Sequence, residues 1–202
     1  MSRPIAAILL AAGKGTRMKS ATHKVLHPIA GRPMIEHLLA SLAELAPQRT
    51  VVVVGDGREQ LEMQLGERAE LVVQEPQLGT GHAVQQAKDA LAGFDGDVLV
   101  LYADVPFVRA ATMQAMLSRL SEADEPAAVV LGFEPENPLQ YGRVIAREGL
   151  IAKMVENKDA SEDERACTLC NSGLLAARAA DLFALLDRVG NDNAQGEYYL
   201  PD

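Results

Sequence analysis

The sequence predicts an α/β fold with a doubly wound, mostly parallel sheet and a smaller antiparallel lobe. Three observations predict it: apolar strands of the buried type, amphipathic helices that alternate with them over the first half of the chain, and a change to short strands in the second half. Rossmann-like sheets of this kind bind ligands at the carboxyl ends of their strands, so the functional residues are expected at that edge.

The first half of the chain alternates strands with helices. The strands are apolar at nearly every position, which is typical of strands covered on both faces. Met34, Leu38 and Leu42 show helical spacing, and Pro33 suits a first helical turn. The third helix is predicted to close at Gly93. The predicted strands are PIAAILL, TVVVVG, AELVVQ and DVLVLYAD, and the predicted helices are PMIEHLLASLAELA, about 58–65, and GTGHAVQQAKDALAG.

Past Ala123 the pattern changes to short strand candidates separated by glycine or polar residues, which favours the antiparallel lobe. Residues 157–166, NKDASEDERA, are expected to form a charged surface arm, and a final helix, AADLFALLDRVG, is predicted to stop before Gly190. No linker composition divides the chain, so one domain over residues 1–202 is expected. The strand candidates are AAVVLGF, YGRVIARE, LIAKMVE and CTLCNSGLLAA.

The composition is that of an ordinary soluble globular protein, with 48% hydrophobic and 23% charged residues. No apolar stretch reaches about 20 residues, so no membrane span is expected. The net charge of −9 argues against binding to nucleic acid or to anionic membranes. Residues 5–12, after Arg3, have some features of a short signal-peptide core, but the patterned loop that follows them argues against this alternative.

The distribution of charge is more informative than its total. From Met1 to Ile35 the chain has six cationic residues and no Asp or Glu, although it has 28 acidic residues in all. A small anion would find its counter-charge in this segment. The six are Arg3, Lys14, Arg17, Lys19, Lys24 and Arg32.

Cys167 and Cys170 form a C-x-x-C pair, which by itself indicates a zinc site or thiol redox chemistry. A structural zinc site would need two more ligands nearby, and the four histidines lie far away in the sequence. The pair also runs into a predicted strand instead of opening a helix. We therefore expect reduced thiols in a cytoplasmic protein, with a metal or redox role as the alternative.

A glycine loop, LAAGKGTRM, follows the first strand, and such loops bring backbone N–H groups against phosphate. The spacing of Gly13 and Gly15 is not that of a Walker loop. The dinucleotide fingerprint would need glycine at Met18 and an acid at the end of the second strand, where Gly55 stands. The loop, followed by Lys24 six residues later, instead resembles the signature of sugar-1-phosphate nucleotidyltransferases. His23 stands where that signature commonly has proline.

Further motifs occur in the order seen in one family, and they cover nearly the whole chain. The chain closely resembles the uridylyltransferase domain of the bacterial bifunctional GlmU family, which joins an N-acetylglucosamine-1-phosphate uridylyltransferase to a glucosamine-1-phosphate acetyltransferase. The motifs are VVQEPQLGTGHAVQQA, LYADVP, YGRV, VENKDA, NSGLL and NAQGEYYLPD.

This resemblance implies a set of nucleotide-binding residues. The first group matches residues whose main chain contacts the nucleotide, and the second group matches residues that read uracil. The third group matches the end of the strand that carries the metal ligand. In the third group an alanine replaces the usual glycine. The groups are Leu10, Ala11, Ala12 and Gly13; then Gln74, Gly79 and Thr80; then Tyr102, Ala103 and Asp104.

The resemblance also implies catalytic and sugar-binding residues. Arg17 and Lys24 match cations that contact the phosphates, and Asp104 matches the magnesium ligand and completes the catalytic set. From the residues alone, Asp104 could instead cap the following helix. The implied contacts of N-acetylglucosamine are Gly142, Glu156 and Asn171, the last two of which would otherwise be ordinary loop residues.

The implied reaction converts UTP and N-acetyl-α-D-glucosamine 1-phosphate to UDP-N-acetylglucosamine and pyrophosphate with Mg²⁺, and it supplies precursors of peptidoglycan and lipopolysaccharide. In the family, a further helix with a second magnesium ligand and an acetyltransferase β-helix domain follow, and a homotrimer is expected only with that domain. Two alternatives stay open: a nucleotidyltransferase for another sugar 1-phosphate, and a non-catalytic module that binds UTP or a UDP-sugar.

Overall fold

The computed structural model describes residues 3–13, 15, 18–122, 124–193 and 195–201. The strands are β1 (Ile5–Leu10), β2 (Pro28–Ile29), β3 (Arg32–Pro33), β4 (Arg49–Val54), β5 (Glu70–Val73), β6 (Asp97–Tyr102), β7 (Ala128–Phe133), β8 (Arg143–Arg147), β9 (Leu150–Val155) and β10 (Cys170–Arg178). The α-helices are α1 (Met34–Ala43), α2 (Arg58–Leu65), α3 (Thr80–Gln85), α4 (Ala110–Leu120), α5 (Glu162–Ala166) and α6 (Ala179–Leu186), and single 3-10 turns span Lys24–Leu26 and Gly66–Arg68.

Within these described ranges, eight strands form one mixed sheet in the order β5-β4-β1-β6-β10-β8-β9, with β7 paired to β10. The four neighbouring strands β5, β4, β1 and β6 are parallel to one another. Strand β10 pairs antiparallel with β6, β7 and β8. The predicted α/β class is therefore confirmed, including the change from a parallel to an antiparallel half.

The sheet is covered on both faces, because the apolar strands alternate their side chains between two cores. Leu9 and Leu101 pack with residues of α1, α2 and α4 on one face. Ile8 and Val100 pack with residues of α3 and α6 on the other. This two-sided cover is the doubly wound arrangement that the continuous apolar strands predict.

Main-chain hydrogen bonds continue past the ends of the parallel strands. The N–H of Ala11 donates to the Val53 carbonyl oxygen at 2.8 Å, and the N–H of Ala103 donates to that of Leu10 at 3.1 Å. These bonds fix the residues that directly follow β1 and β6, so the glycine loop and the end of β6 leave the sheet side by side.

Several helices are shorter than predicted. The third ends at Gln85 instead of Gly93, and tight turns follow it, in which the N–H of Lys88 donates to the Gln85 carbonyl oxygen three residues earlier. These turns keep Ala87 and Leu91 in the core, so the apolar spacing that predicts a helix is satisfied by tighter turns. The first and last helices end at Ala43 and Leu186, and the charged arm contains the short helix α5.

No helix in the described part of the chain combines the length and the apolar character needed to cross a membrane.

Glu36 forms an ion pair with Arg68 between α1 and the turn after α2; the Glu36 side chain is nearly buried, whereas that of Arg68 is 53% exposed. Its carboxylate accepts hydrogen bonds from Arg68 Nη2 at 2.6 Å and Nη1 at 3.0 Å, and from Gln64 Nε2 at 2.8 Å. The hydrogen bonds from Arg68 hold the pKa of Glu36 below its usual value. An acid with a lowered pKa in the folded state stabilises the fold above its unfolded pKa of about 4.3, and this contribution disappears as the pH falls through the folded pKa.

We therefore expect Glu36→Gln to lower the free energy of unfolding by about 1–3 kcal/mol at pH 7. The deficit should shrink in acid, because the wild-type carboxylate then loses its own charge. Urea unfolding of both proteins from pH 7 down to the acid limit of the fold measures this. A deficit that is constant over the whole range would contradict the assignment.

Candidate functional site

Two of the cavities formed by the described residues adjoin each other at the carboxyl edge of the parallel strands. The loop cavity, of about 350 Å³, is lined by Leu10, Ala11, Ala12, Gly13, Lys24, Val25, Gln74, Gln77, Gly79, Thr80, Ala83, Tyr102, Asp104 and Glu197. The lobe cavity, of about 380 Å³, is lined by Thr80, Tyr102, Gln140, Tyr141, Gly142, Glu156, Asn157, Lys158, Asn171, Ser172, Gly173, Gln195, Tyr199 and Pro201. Thr80 and Tyr102 line both cavities, so they form a shared wall.

The shared wall is polar but not ionised. Burial raises the pKa of the Tyr102 hydroxyl, a hydrogen bond with Thr80 works in the opposite direction, and the charges of Glu156 and Asp104 raise the pKa further. The hydroxyl is therefore neutral near pH 7 and can donate a hydrogen bond. Gly173, with φ of +83°, permits this packing, since a Cβ there would lie 2.6 Å from Tyr102 Cε2.

An ion pair faces the loop cavity near this wall. Lys24 Nζ, from the 3-10 turn after the glycine loop, contacts Asp104 Oδ2, two residues beyond the end of β6. The two side chains are 32% and 30% exposed, so solvent and ligands can reach both. A cation and a carboxylate placed together can bind an anion and a metal ion respectively.

Gln74 lines the loop cavity with its amide orientation fixed. The residue is 5% exposed, and its Nε2 donates to the Gly79 carbonyl oxygen at 2.9 Å and lies 3.1 Å from His82 Nδ1. Because the amide nitrogen is directed at these groups, Oε1 is the atom positioned to accept a hydrogen bond from a ligand.

The segment 197–200 holds the loop before α3. The Tyr198 N–H donates to the Leu78 carbonyl oxygen at 2.8 Å, and the Gly81 N–H donates to the Tyr198 carbonyl oxygen at 2.7 Å. The Leu200 N–H donates to Thr80 Oγ1 at 2.9 Å. Gly79, with φ of +108°, allows the close approach, because a Cβ there would lie 2.5 Å from the Tyr198 oxygen.

The three predicted sugar-binding residues come together in the lobe cavity. The Asn171 N–H donates to the Gly142 carbonyl oxygen at 2.9 Å, and Asn171 Oδ1 accepts from the Gly173 N–H at 2.8 Å. Glu156 follows the end of β9, directly after Val155, which pairs with Arg143 of β8. Carboxylate, amide and main-chain groups on one wall suit the hydroxyl and acetamido groups of a sugar.

Every described residue of the predicted set lines one of the two cavities except Ala103, which is fully buried and lines neither. Arg17 lies outside the described residues. Gln77 and Glu197 also line the loop cavity and were not among the predicted residues. Gln77 Nε2 donates to the Ala12 carbonyl oxygen, so it fixes the glycine loop. Its place three residues after Gln74, in the same motif, was the available signal.

Metal-binding groups are sparse. The described residues contain no cluster of three or more His, Cys, Asp or Glu side chains that could hold a metal ion. Two carboxylates, of Asp104 and Glu197, line the loop cavity. The thiol of Cys167 donates to the Val144 carbonyl oxygen at 3.5 Å, and that of Cys170 donates to the Thr168 carbonyl oxygen at 3.4 Å, so the two thiols point to different partners.

Comparison with known proteins agrees with the sequence motifs. The family model of the MobA-like NTP transferase domain matches residues 7–177. The bifunctional protein GlmU of Novosphingobium aromaticivorans is 73% identical over 202 residues, which are 100% of this chain and 45% of that protein. GlmU of Zymomonas mobilis subsp. mobilis is 58% identical over 205 residues, covering 99% of this chain and 45% of that protein. The predicted resemblance is confirmed, and the chain spans under half the length of these relatives.

Two solved structures share the fold of this chain. A UDP-glucose pyrophosphorylase complexed with UDP-glucose superimposes with a TM-score of 0.77 at 20% identity, covering 100% of this chain and 85% of that one. HddC of Yersinia pseudotuberculosis, complexed with GMP-PN, has a TM-score of 0.67 at 16% identity, with 97% and 83% covered. At these identities the likeness concerns the fold, which it confirms.

Proposed function

The chain belongs to the MobA-like NTP transferase family, and from that premise we propose that it transfers a uridylyl group from UTP to N-acetyl-α-D-glucosamine 1-phosphate. The products are UDP-N-acetylglucosamine and pyrophosphate. The relatives named GlmU support this assignment. In the cell, the product would serve peptidoglycan and lipopolysaccharide synthesis, and hence cell shape, in the cytoplasm.

The observation that carries the proposal is the wall that the two cavities share at Thr80 and Tyr102. UTP in the loop cavity and the sugar phosphate in the lobe cavity would meet there, with their reacting phosphates beside Lys24 and Asp104. Binding both reactants next to each other converts a bimolecular step into one within a single complex.

The chemistry requires neutralisation of charge more than it requires a base. The second pKa of a phosphate monoester is about 6, so the nucleophile is already largely dianionic near neutral pH. It must approach the α-phosphorus of a nucleotide that carries about four negative charges. Two unit charges about 4 Å apart repel by about 4 kcal/mol at an effective dielectric constant of about 20. Lys24 would hold the nucleophile and the α-phosphate, and Arg17 the departing pyrophosphate.

Mg²⁺ fits the oxygen donors of the loop cavity. Mg²⁺ commonly takes one or two carboxylates and completes its shell with water and substrate phosphates, so a three-residue cluster is not required. Asp104 would hold the ion, with the Glu197 carboxylate on the same cavity. When bound, Mg²⁺ supplies positive charge to the phosphates of the nucleotide.

Gln74 would select uracil by the orientation of its amide. Its Oε1 can accept a hydrogen bond from the N3–H of uracil, whereas N3 of cytosine is an acceptor and would face that oxygen unpaired. We expect Gln74→Ala to lower the preference for UTP over CTP about tenfold or more, measured as the ratio of kcat/KM values.

Gln85→Ala is the matched control for this change, because Gln85 lies on α3 and donates to the Leu186 carbonyl oxygen. It should leave the preference unchanged. If Gln74→Ala slows UTP and CTP turnover by the same factor, Gln74 does not read the base.

The function is tested by measuring pyrophosphate release from UTP with Mg²⁺ and a panel of sugar 1-phosphates. We expect N-acetylglucosamine 1-phosphate to give the highest kcat/KM. A higher value for another sugar phosphate would identify a different nucleotidyltransferase. Binding of UTP or UDP-N-acetylglucosamine without any pyrophosphate release would indicate a binding module instead.

A further inference from the structure

One glutamine side chain ties the segment before Lys24 to a different element. Gln60, in the first turn of α2, accepts a hydrogen bond at Oε1 from the His23 backbone N–H at 2.9 Å. Its Nε2 donates to the Ala21 carbonyl oxygen at 3.0 Å. The two bonds use both ends of one planar amide, so they fix two neighbouring stretches of main chain at once.

We propose that Gln60 is a positioning residue for Lys24, an inference that rests on the proposed function of that lysine. The amide of Gln60 would hold the main chain at 21–23 in the place from which the Lys24 side chain reaches the loop cavity. Gln60 does not line that cavity, so it would act through Lys24 and not on the substrate.

The geometry of the turn explains how a bond at His23 controls Lys24. The His23 carbonyl oxygen accepts a hydrogen bond from the Leu26 N–H at 2.9 Å, so His23 begins the 3-10 turn that carries the lysine. Val25, next to Lys24, is buried in the core and anchors the other side. The backbone of Lys24 is therefore held on one side by the buried Val25 and on the other by the hydrogen bond from His23 to Gln60. Loss of that hydrogen bond would let the backbone of Lys24 move.

His23 contributes through its main chain and not through charge. Burial lowers the pKa of its imidazole, which is therefore neutral at pH 7 and adds no positive charge beside Lys24. Its backbone, with φ of −55° and ψ of 138°, has a conformation that proline also adopts. Proline at this position would keep the local backbone rigid without an N–H, so it would replace the effect of Gln60 by another route.

The test compares the variant Gln60→Leu with the control variant Gln64→Leu. Gln64 lies one turn further along α2, and its replacement removes only a side-chain hydrogen bond to Glu36. We expect Gln60→Leu to lower kcat for pyrophosphate release about tenfold, because small displacements of a catalytic group are costly. KM for UTP should change less than about twofold, since the residues at 74–80 that would read the base are untouched. His23→Pro added to Gln60→Leu should recover most of the lost kcat, whereas Gln64→Leu should turn over like wild type.

A second measurement does not depend on turnover. Hydrogen–deuterium exchange at the amides of 20–26 should be faster in Gln60→Leu than in wild type or Gln64→Leu, because the His23 N–H has lost its acceptor. Unchanged exchange, or a kcat of Gln60→Leu equal to that of Gln64→Leu, would overturn the inference. Failure of the double variant to recover any kcat would also overturn it. If the wild type releases no pyrophosphate at all, the proposed function fails, and the exchange result alone decides whether Gln60 holds the turn.

Discussion

Replacing Asp104 with asparagine is expected to lower pyrophosphate release from UTP and N-acetylglucosamine 1-phosphate about a thousandfold. Among the described residues, Asp104 is one of two acids that line the loop cavity, and it follows β6 on a main chain fixed by the hydrogen bond from Ala103 to Leu10. Asparagine keeps the size of the side chain and one oxygen, but it removes the negative charge that would hold Mg²⁺. The loss should appear in kcat, with a higher Mg²⁺ concentration needed for half-maximal rate.

Asp95→Asn provides the control for this experiment. Asp95 lies just before the other end of β6, is exposed, and pairs with Arg3. A surface ion pair of this kind contributes little, so the variant should keep the wild-type rate and Mg²⁺ dependence. If Asp104→Asn stays within about tenfold of wild type, or its Mg²⁺ dependence is unchanged, Asp104 does not hold the metal.

The parallel half of the fold could be predicted because its information is local. The four parallel strands β1, β4, β5 and β6 are mostly apolar runs. The amphipathic spacing of α1 identifies the face of that helix that is buried. The antiparallel half depends on pairing between distant segments. The sequence pattern identifies β10 as a strand, but it does not indicate that β10 lies between β6 and β7. The strand order depends on the packing of the whole sheet.

The candidate site could be predicted where its residues directly follow strands or belong to recognisable motifs. Tyr102 is the last residue of β6, and Gln74 directly follows β5, so both had to reach the same edge. Glu197 lies in the motif NAQGEYYLPD, but it follows no strand, so the motif alone does not place it in the loop cavity. It reaches the loop cavity because the Gly81 N–H pairs with Tyr198, a main-chain contact that no side-chain pattern signals. The Gln60 bonds to the main chain at 21–23 have the same character.

Lys24→Met is expected to have two effects of opposite direction, because the Lys24 ammonium contacts the Asp104 carboxylate. The kcat for pyrophosphate release should fall about a hundredfold, since a cation at the reacting phosphates is lost. Affinity for a divalent ion without nucleotide should rise about threefold to tenfold, because a positive charge no longer competes for the Asp104 carboxylate. Steady-state kinetics of pyrophosphate release measures the first effect, and calorimetric titration with Mn²⁺ measures the second.

Lys88→Met is the matched control, because Lys88 forms a lysine–aspartate pair with Asp187 on the exposed surface. It should alter neither turnover nor Mn²⁺ affinity. A Lys24→Met protein that loses activity but binds Mn²⁺ no more tightly would mean that Asp104 is not the metal ligand, even if Lys24 serves the phosphates. If Mn²⁺ binds more tightly and turnover is kept, the lysine only shields the carboxylate. The two readouts together therefore separate the role of the cation from that of the acid beside it.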